Sequence, residues 1–112
     1  ITERGSSFGY GNLVVDMTSL VTMRQYGYPV IFDGTHAVQQ PSSLSGVTKG
    51  NRDMVPPLIR AALAVGVDGI FMEVHPNPDH AISDAANQIR LADIQQILEQ
   101  AKAFDELAKR II

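Results

Sequence analysis

The sequence predicts an α/β fold built on a parallel sheet, on three observations. The run Val30-Ile31-Phe32-Asp33-Gly34-Thr35-His36 starts apolar behind Gly27 and Pro29 and ends polar, as a buried parallel strand does where its C-terminal tip opens into a site. Gly69-Ile70-Phe71-Met72-Glu73-Val74-His75-Pro76 repeats the pattern, and Ile1-Thr2-Glu3-Arg4-Gly5 reads as a third such tip. Helical sequence separates the three, and short apolar strands alternating with helices imply a parallel sheet. The tips then present Arg4, His36 and Glu73; in barrels of alternating strands and helices, the C-terminal strand ends carry the chemistry.

Taken in order, Gly5 to Asn12 reads as a Gly- and Ser-containing loop with Phe8 and Tyr10 as anchors. Asp16, Thr18 or Ser19 is suited to cap the helix that follows. Leu20 and Met23 lie on its apolar stripe, and Gly27 with Pro29 ends it. The strand Val30–Asp33 leads into a long polar loop, Ala37 to Asn51, of a length that is usually functional. A helix is expected from Arg52 to Val65, with Pro56 and Pro57 near its first turn, where proline is tolerated. Gly66 stops it, and Gly69 opens the strand Ile70–Glu73. Pro76 to Asn87 forms a loop before the last helix. In that helix Leu91, Ile94, Ile97, Leu98, Ala101, Phe104, Leu107 and Ile111 recur at spacings of three and four, opposite Asp93, Glu99, Lys102 and Lys109.

The bulk properties narrow the function. A chain of 112 residues is long enough for a single core. A net charge of −3 with scattered Lys and Arg argues against a nucleic-acid-binding surface. The absence of cysteine excludes a disulfide framework, a thiol nucleophile or a cysteine-ligated zinc supplied by these residues. The apolar runs are too short to span a bilayer and no secretory signal opens the sequence, so a cytoplasmic protein is expected. Two full strands and one strand tip do not close a barrel, and left alone they expose edges and an apolar face. With no initiator Met, the sequence reads as part of a longer protein lacking its N-terminal half.

Among the ionisable residues, His36 reads either as a hydrogen-bonded structural histidine or as a ligand. Glu73 follows Ile70-Phe71-Met72, where a carboxylate carries a heavy desolvation cost unless it is paired or bound to a cation, which favours a site. Asp84 alone reads as a turn cap, His75 as structural and His80 as a solvated loop residue. Together His36, Glu73 and Asp84 offer one nitrogen and two oxygen donors, a set that suits manganese, iron or zinc ions with an open position. Arg4, on the preceding tip, is a fixed donor for phosphate or carboxylate. The combination points to chemistry on a phosphorylated small molecule.

The segments Ile1-Thr2-Glu3-Arg4-Gly5, Phe8-Gly9-Tyr10, Asn12 to Met17, Phe32-Asp33 with Thr35-His36 and Val38-Gln39, Phe71-Met72-Glu73 with His75-Pro76, and Ser83-Asp84 resemble the 3-deoxy-D-manno-octulosonate 8-phosphate synthases. The resemblance runs over the whole chain. It implies that residues 1–112 are the C-terminal part of one TIM-barrel catalytic domain, from the end of strand six to the last helix. It further implies a transferase that condenses phosphoenolpyruvate with arabinose 5-phosphate and releases phosphate, for lipopolysaccharide synthesis, in a homotetramer. By the same resemblance Arg4 would hold the phosphoenolpyruvate phosphate, and Gln39 and Asn12 would lie at the substrates, with Asp33 in support. His36, Glu73 and Asp84 would be the catalytic metal ligands, or in the metal-free branch would position water and substrate.

The chain departs from the family's wording in its long loop, which reads Gln40-Pro41-Ser42-Ser43 and Lys49-Gly50-Asn51-Arg52-Asp53 where the family favours glycine pairs. Gly34 stands for a usual Ala and Gly11 for a usual Asn. Gln88 matches the metal-dependent branch and Ala86 matches neither branch, so the resemblance leans to a divalent metal. The deciding first-strand position is not in the sequence. Two other readings stay open: a related synthase, such as the heptulosonate enzymes, and a half-barrel that binds without catalysis.

Overall fold

The computed structural model describes residues 1–8, 11–40 and 49–112. Its centre is a three-stranded parallel sheet in the order β1 (Thr2–Glu3), β4 (Ile31–Asp33), β7 (Gly69–Phe71). Thr2 pairs with Ile31 and Glu3 with Phe32; Ile31, Phe32 and Asp33 pair with Gly69, Ile70 and Phe71. Because the strands are parallel and in this register, Arg4, Asp33 and Met72 stand at one edge of the sheet. Strand Val30–Asp33 is thus borne out to within a residue. The strand expected over Ile70–Glu73 ends at Phe71 instead, because Glu73 turns away: its amide donates to Thr35 Oγ1 at 3.0 Å, and its carbonyl accepts from Ile89 at 2.9 Å.

Helix α1 (Met17–Arg24) is capped by Asp16, which accepts from the Thr18 amide at 2.9 Å. Gly27, at φ +79°, supplies the left-handed turn after it. Before it, β2 (Ser6–Ser7) and β3 (Leu13–Val14) form an antiparallel hairpin. Phe8, expected as an anchor, is instead 80% exposed, and Tyr10 lies outside the described residues. A one-turn 3-10 helix, Arg52–Met54, precedes α2 (Val55–Val65); Asn51 caps the turn by accepting from the Asp53 amide. Pro56 and Pro57 fall in the first turn of α2, where the missing amides cost nothing. The Arg24 guanidinium donates to the carbonyls of Val65 and Gly66 and so joins the end of α2 to α1. The last helix, α3, runs Ile94–Ile111; Leu91 lies before it, in a separate 3-10 turn, Leu91–Asp93.

Leu20 of α1, Val30 just before β4 and Phe32 within it, and Val55, Ile59, Ala62 and Leu63 of α2 belong to the core, as do Ile97 and Ala101 of α3. The apolar stripe of α3 is only partly used: Ile97, Ala101 and Ala108 are buried, whereas Leu98, Leu107 and Ile111 are exposed. Of the large apolar residues in the sheet strands Thr2–Glu3, Ile31–Asp33 and Gly69–Phe71, Phe71 is exposed. No helix among the described residues is long and apolar enough to cross a membrane.

Two further pairings frame the tips. β5 (Gln39–Gln40) and β6 (Lys49–Gly50) pair antiparallel, so the expected long loop has an ordered base; Pro41 to Thr48 lie outside the described residues. β8 (Val74–His75) and β9 (Ile89–Arg90) pair parallel, which folds residues 76–88 back over the sheet edge.

Candidate functional site

Three side chains converge at that edge. His36 follows β4 in a 3-10 turn, His36–Val38, Glu73 follows β7, and Asp84 stands in the 76–88 segment. His36 Nε2 is 3.5 Å from both Glu73 Oε1 and Asp84 Oδ2, and one donor atom from each residue lies within 4.8 Å of the others. Ligands bound to one ion at about 2.1 Å and tetrahedral angles stand about 3.4 Å apart, close to the spacings found here. The three half-buried groups thus have the chemistry and the separation of a cation site.

The local structure sets their direction. Asp33 is buried and accepts from the His36 amide at 3.0 Å, and its Oδ2 lies 2.7 Å from His36 Nδ1. With Nδ1 against that carboxylate, the ring turns its Nε2 toward Glu73 and Asp84, the carboxylate–histidine arrangement of metal sites. The ring stacks on Phe71, with centroids 5.9 Å apart and planes at 28°. Asp84 has a left-handed backbone, φ +53°, uncommon outside glycine and easiest for Asp and Asn. The amides of Asn87 and Gln88 both donate to its carbonyl at 3.1 Å, and Gln39 Nε2 donates to its Oδ1 at 2.7 Å.

Electrostatically the site is under-neutralised. Burial pushes the Glu73 carboxyl above its ordinary value, with neighbouring Asp84 adding to the rise and His36 opposing it. Glu73 Oε2 is buried with no hydrogen-bond partner. A buried, unpaired carboxylate oxygen facing a second carboxylate is costly unless a cation answers both. The residues present therefore fit a divalent ion.

The other expected site residues are distributed around this cluster. Arg4 reaches it indirectly: its Nε is 4.0 Å from Asp33 Oδ2, and its side chain is half exposed, free to meet an anion. Gln39 touches the cluster through Asp84. Asn12 does not join it; it lines a neighbouring cavity of about 160 Å³ with Leu13, Gln39, Gln40 and Asn51. His75 accepts from the Asn77 amide at 2.9 Å and His80 is exposed, the structural and solvated roles expected. Sequence reasoning passed over Thr35 and Asn87, both buried: Thr35 Oγ1 accepts from the Glu73 amide, and Asn87 Nδ2 donates to the Thr35 carbonyl at 2.9 Å. The only signal for Thr35 was its place between Asp33 and His36; Asn87 carried none.

The chain has relatives among known proteins. A profile described as the DAHP synthetase I family matches residues 1–110. The 2-dehydro-3-deoxyphosphooctonate aldolase of Magnetococcus marinus is 57% identical over 109 residues, covering 97% of this chain and 38% of that protein. The enzyme of the same name from Fusobacterium nucleatum is 54% identical over 111 residues, 99% of this chain and 40% of its own length. That of Legionella pneumophila is 55% identical over 108 residues, 96% of this chain and 39% of its own length. The chain spans about two-fifths of the length of these relatives.

Proposed function

From the premise that the chain belongs to the DAHP synthetase I family, we propose that it carries the metal-binding and anion-binding edge of a 2-dehydro-3-deoxyphosphooctonate-forming synthase. The reaction is condensation of phosphoenolpyruvate with arabinose 5-phosphate, with release of phosphate. The observation that carries the reading is the convergence of His36, Glu73 and Asp84, in a chain more than half identical to relatives bearing that enzyme's name. In this reading β1, β4 and β7 are strands six to eight of a TIM barrel, residues 1–112 are its C-terminal part, and the whole enzyme is a cytoplasmic homotetramer.

The chemistry asks for neutralised phosphates, a polarised aldehyde and one placed water. Arg4 binds the phosphate of phosphoenolpyruvate, and Asp33 behind it restrains the guanidinium. His36, Glu73 and Asp84 would hold a divalent ion of the iron, zinc or manganese type, whose Lewis acidity polarises an oxygen when it is bound. Gln39 fixes the Asp84 carboxylate and presents its amide beside the sugar, and Asn12 lines the approach. Glu73 Oε2, which has no hydrogen-bond partner, accepts a hydrogen bond from the incoming water and orients it.

The test is a phosphate-release assay with phosphoenolpyruvate and either arabinose 5-phosphate or erythrose 4-phosphate, with and without chelator. For the full-length enzyme the expected result is chelator-sensitive turnover with the five-carbon sugar; turnover only with the four-carbon sugar would overturn the assignment. The 112-residue chain by itself is expected to release no phosphate, since it spans two-fifths of its relatives; turnover by this chain alone contradicts that.

A further inference from the structure

All three donors trace back to one buried side chain. Asn87 is 1% exposed and stands in the segment that carries Asp84. Its own amide donates to the Asp84 carbonyl at 3.1 Å and so closes the turn that holds Asp84 left-handed. Its side-chain Nδ2 donates to the Thr35 carbonyl at 2.9 Å. Thr35, fully buried, accepts the Glu73 amide on Oγ1 at 3.0 Å, and the same hydroxyl faces Asp33 Oδ1 at 3.4 Å. Asp33 in turn fixes the His36 ring. One carboxamide therefore ties the Asp84 turn to the Thr35 peptide, from which both Glu73 and His36 are held.

The seat of that carboxamide is kept open by Gly50 on β6. A Cβ on Gly50 would lie 2.8 Å from Asn87 Cβ and 3.1 Å from its Oδ1, closer than packed atoms tolerate. Gly50 has no positive φ, so the need for glycine there is spatial. We propose that Asn87 is a positioning residue that sets the spacing of the His36, Glu73 and Asp84 donors, and that Gly50 exists at its position to seat it. The inference rests on the reading of those three residues as a cation site.

Removing the carboxamide takes away the Thr35 carbonyl's only side-chain donor among the described residues and lets the Asp84 turn drift from the strand tips. Loss of an outer hydrogen-bonding partner typically costs ten- to a hundredfold in metal affinity. The experiment is titration of the purified chain with Co²⁺ alone, followed by its visible absorption, for the wild type, Asn87→Ala, Gly50→Ala and a packing control, Ile97→Ala. Measurements are made well below each variant's melting temperature. The expected result is a dissociation constant at least about tenfold higher for Asn87→Ala and Gly50→Ala, with altered band intensity at saturation. Ile97→Ala should melt earlier and keep the wild-type affinity and spectrum. Wild-type affinity and spectrum in folded Asn87→Ala would overturn the proposal while leaving the cation site standing. If Asn87→Ala does not fold, Gly50→Ala decides by the same two readouts. A wild-type chain that binds no Co²⁺ overturns the cation site, and this inference with it.

Discussion

Glu73 concentrates the conflict of the site in one residue. Its folded proton affinity is raised by burial first and by Asp84 second, so between the unfolded and folded values the native state binds more protons than the unfolded state. The linkage then has a definite sign: without a cation, stability falls as pH rises from the ordinary glutamate value of 4.5 through the raised folded one. Glu73→Gln removes that loss. In chelator at neutral pH the variant should melt above the wild type, and below the ordinary carboxylate range the two should converge. With saturating Co²⁺ the order should reverse, because the wild type alone gains the ligand. A Glu73→Gln variant no more stable than the wild type in chelator would contradict the account, and calorimetry across pH measures it directly.

Gly34 offers the test at the scale of elements, where β4 meets α2. A methyl group there would stand 2.9 Å from Ile59 Cγ1 and 3.0 Å from Cδ1, while Ile59 is 1% exposed in the core. The space a side chain at position 34 would need is filled from the helix side, by Ile59 and Val55. Gly34→Ala should cost about 1–3 kcal/mol by overpacking, and Ile59→Ala alone about 2–5 kcal/mol through its cavity. The double variant should lose less than the sum, since each change fills or vacates the other's space. Strict additivity in chemical denaturation would show that the two positions do not compete.

The same scale marks where the sequence was legible. The β4 start and the α2 end followed from Gly27, Pro29 and Gly66, residues whose backbone preferences are local, whereas α2 begins at Val55 because Arg52–Met54, expected inside it, form a separate 3-10 turn capped by Asn51. The end of β7 was not legible, because a hydroxyl from another strand tip, Thr35, takes the Glu73 amide out of the ladder. The start of α3 moved to Ile94 because the chain first spends Ile89–Arg90 on a pairing with Val74–His75, which no local pattern announces. Of the site, the donor types were readable and their partners were not. Asp84 looked like a cap, since its distance to His36 depends on how the 76–88 segment folds back.

For the molecule as a whole, Phe71 at the end of β7 and Leu98 and Leu107 on α3 remain exposed. The donors His36, Glu73 and Asp84 belong to segments that meet only through such long-range pairing, and this has a consequence in time. Helix α3 assembles from local contacts, whereas His36 reaches Glu73 only after β4 and β7 have joined, and Asp84 arrives only when the 76–88 segment has docked. Closures between distant segments are the slow ones. In a refolding experiment with Co²⁺ present, helical circular dichroism should recover first, and cobalt absorption should develop with the slowest phase. The ion would then act as a clock that starts only when the last segment has come home.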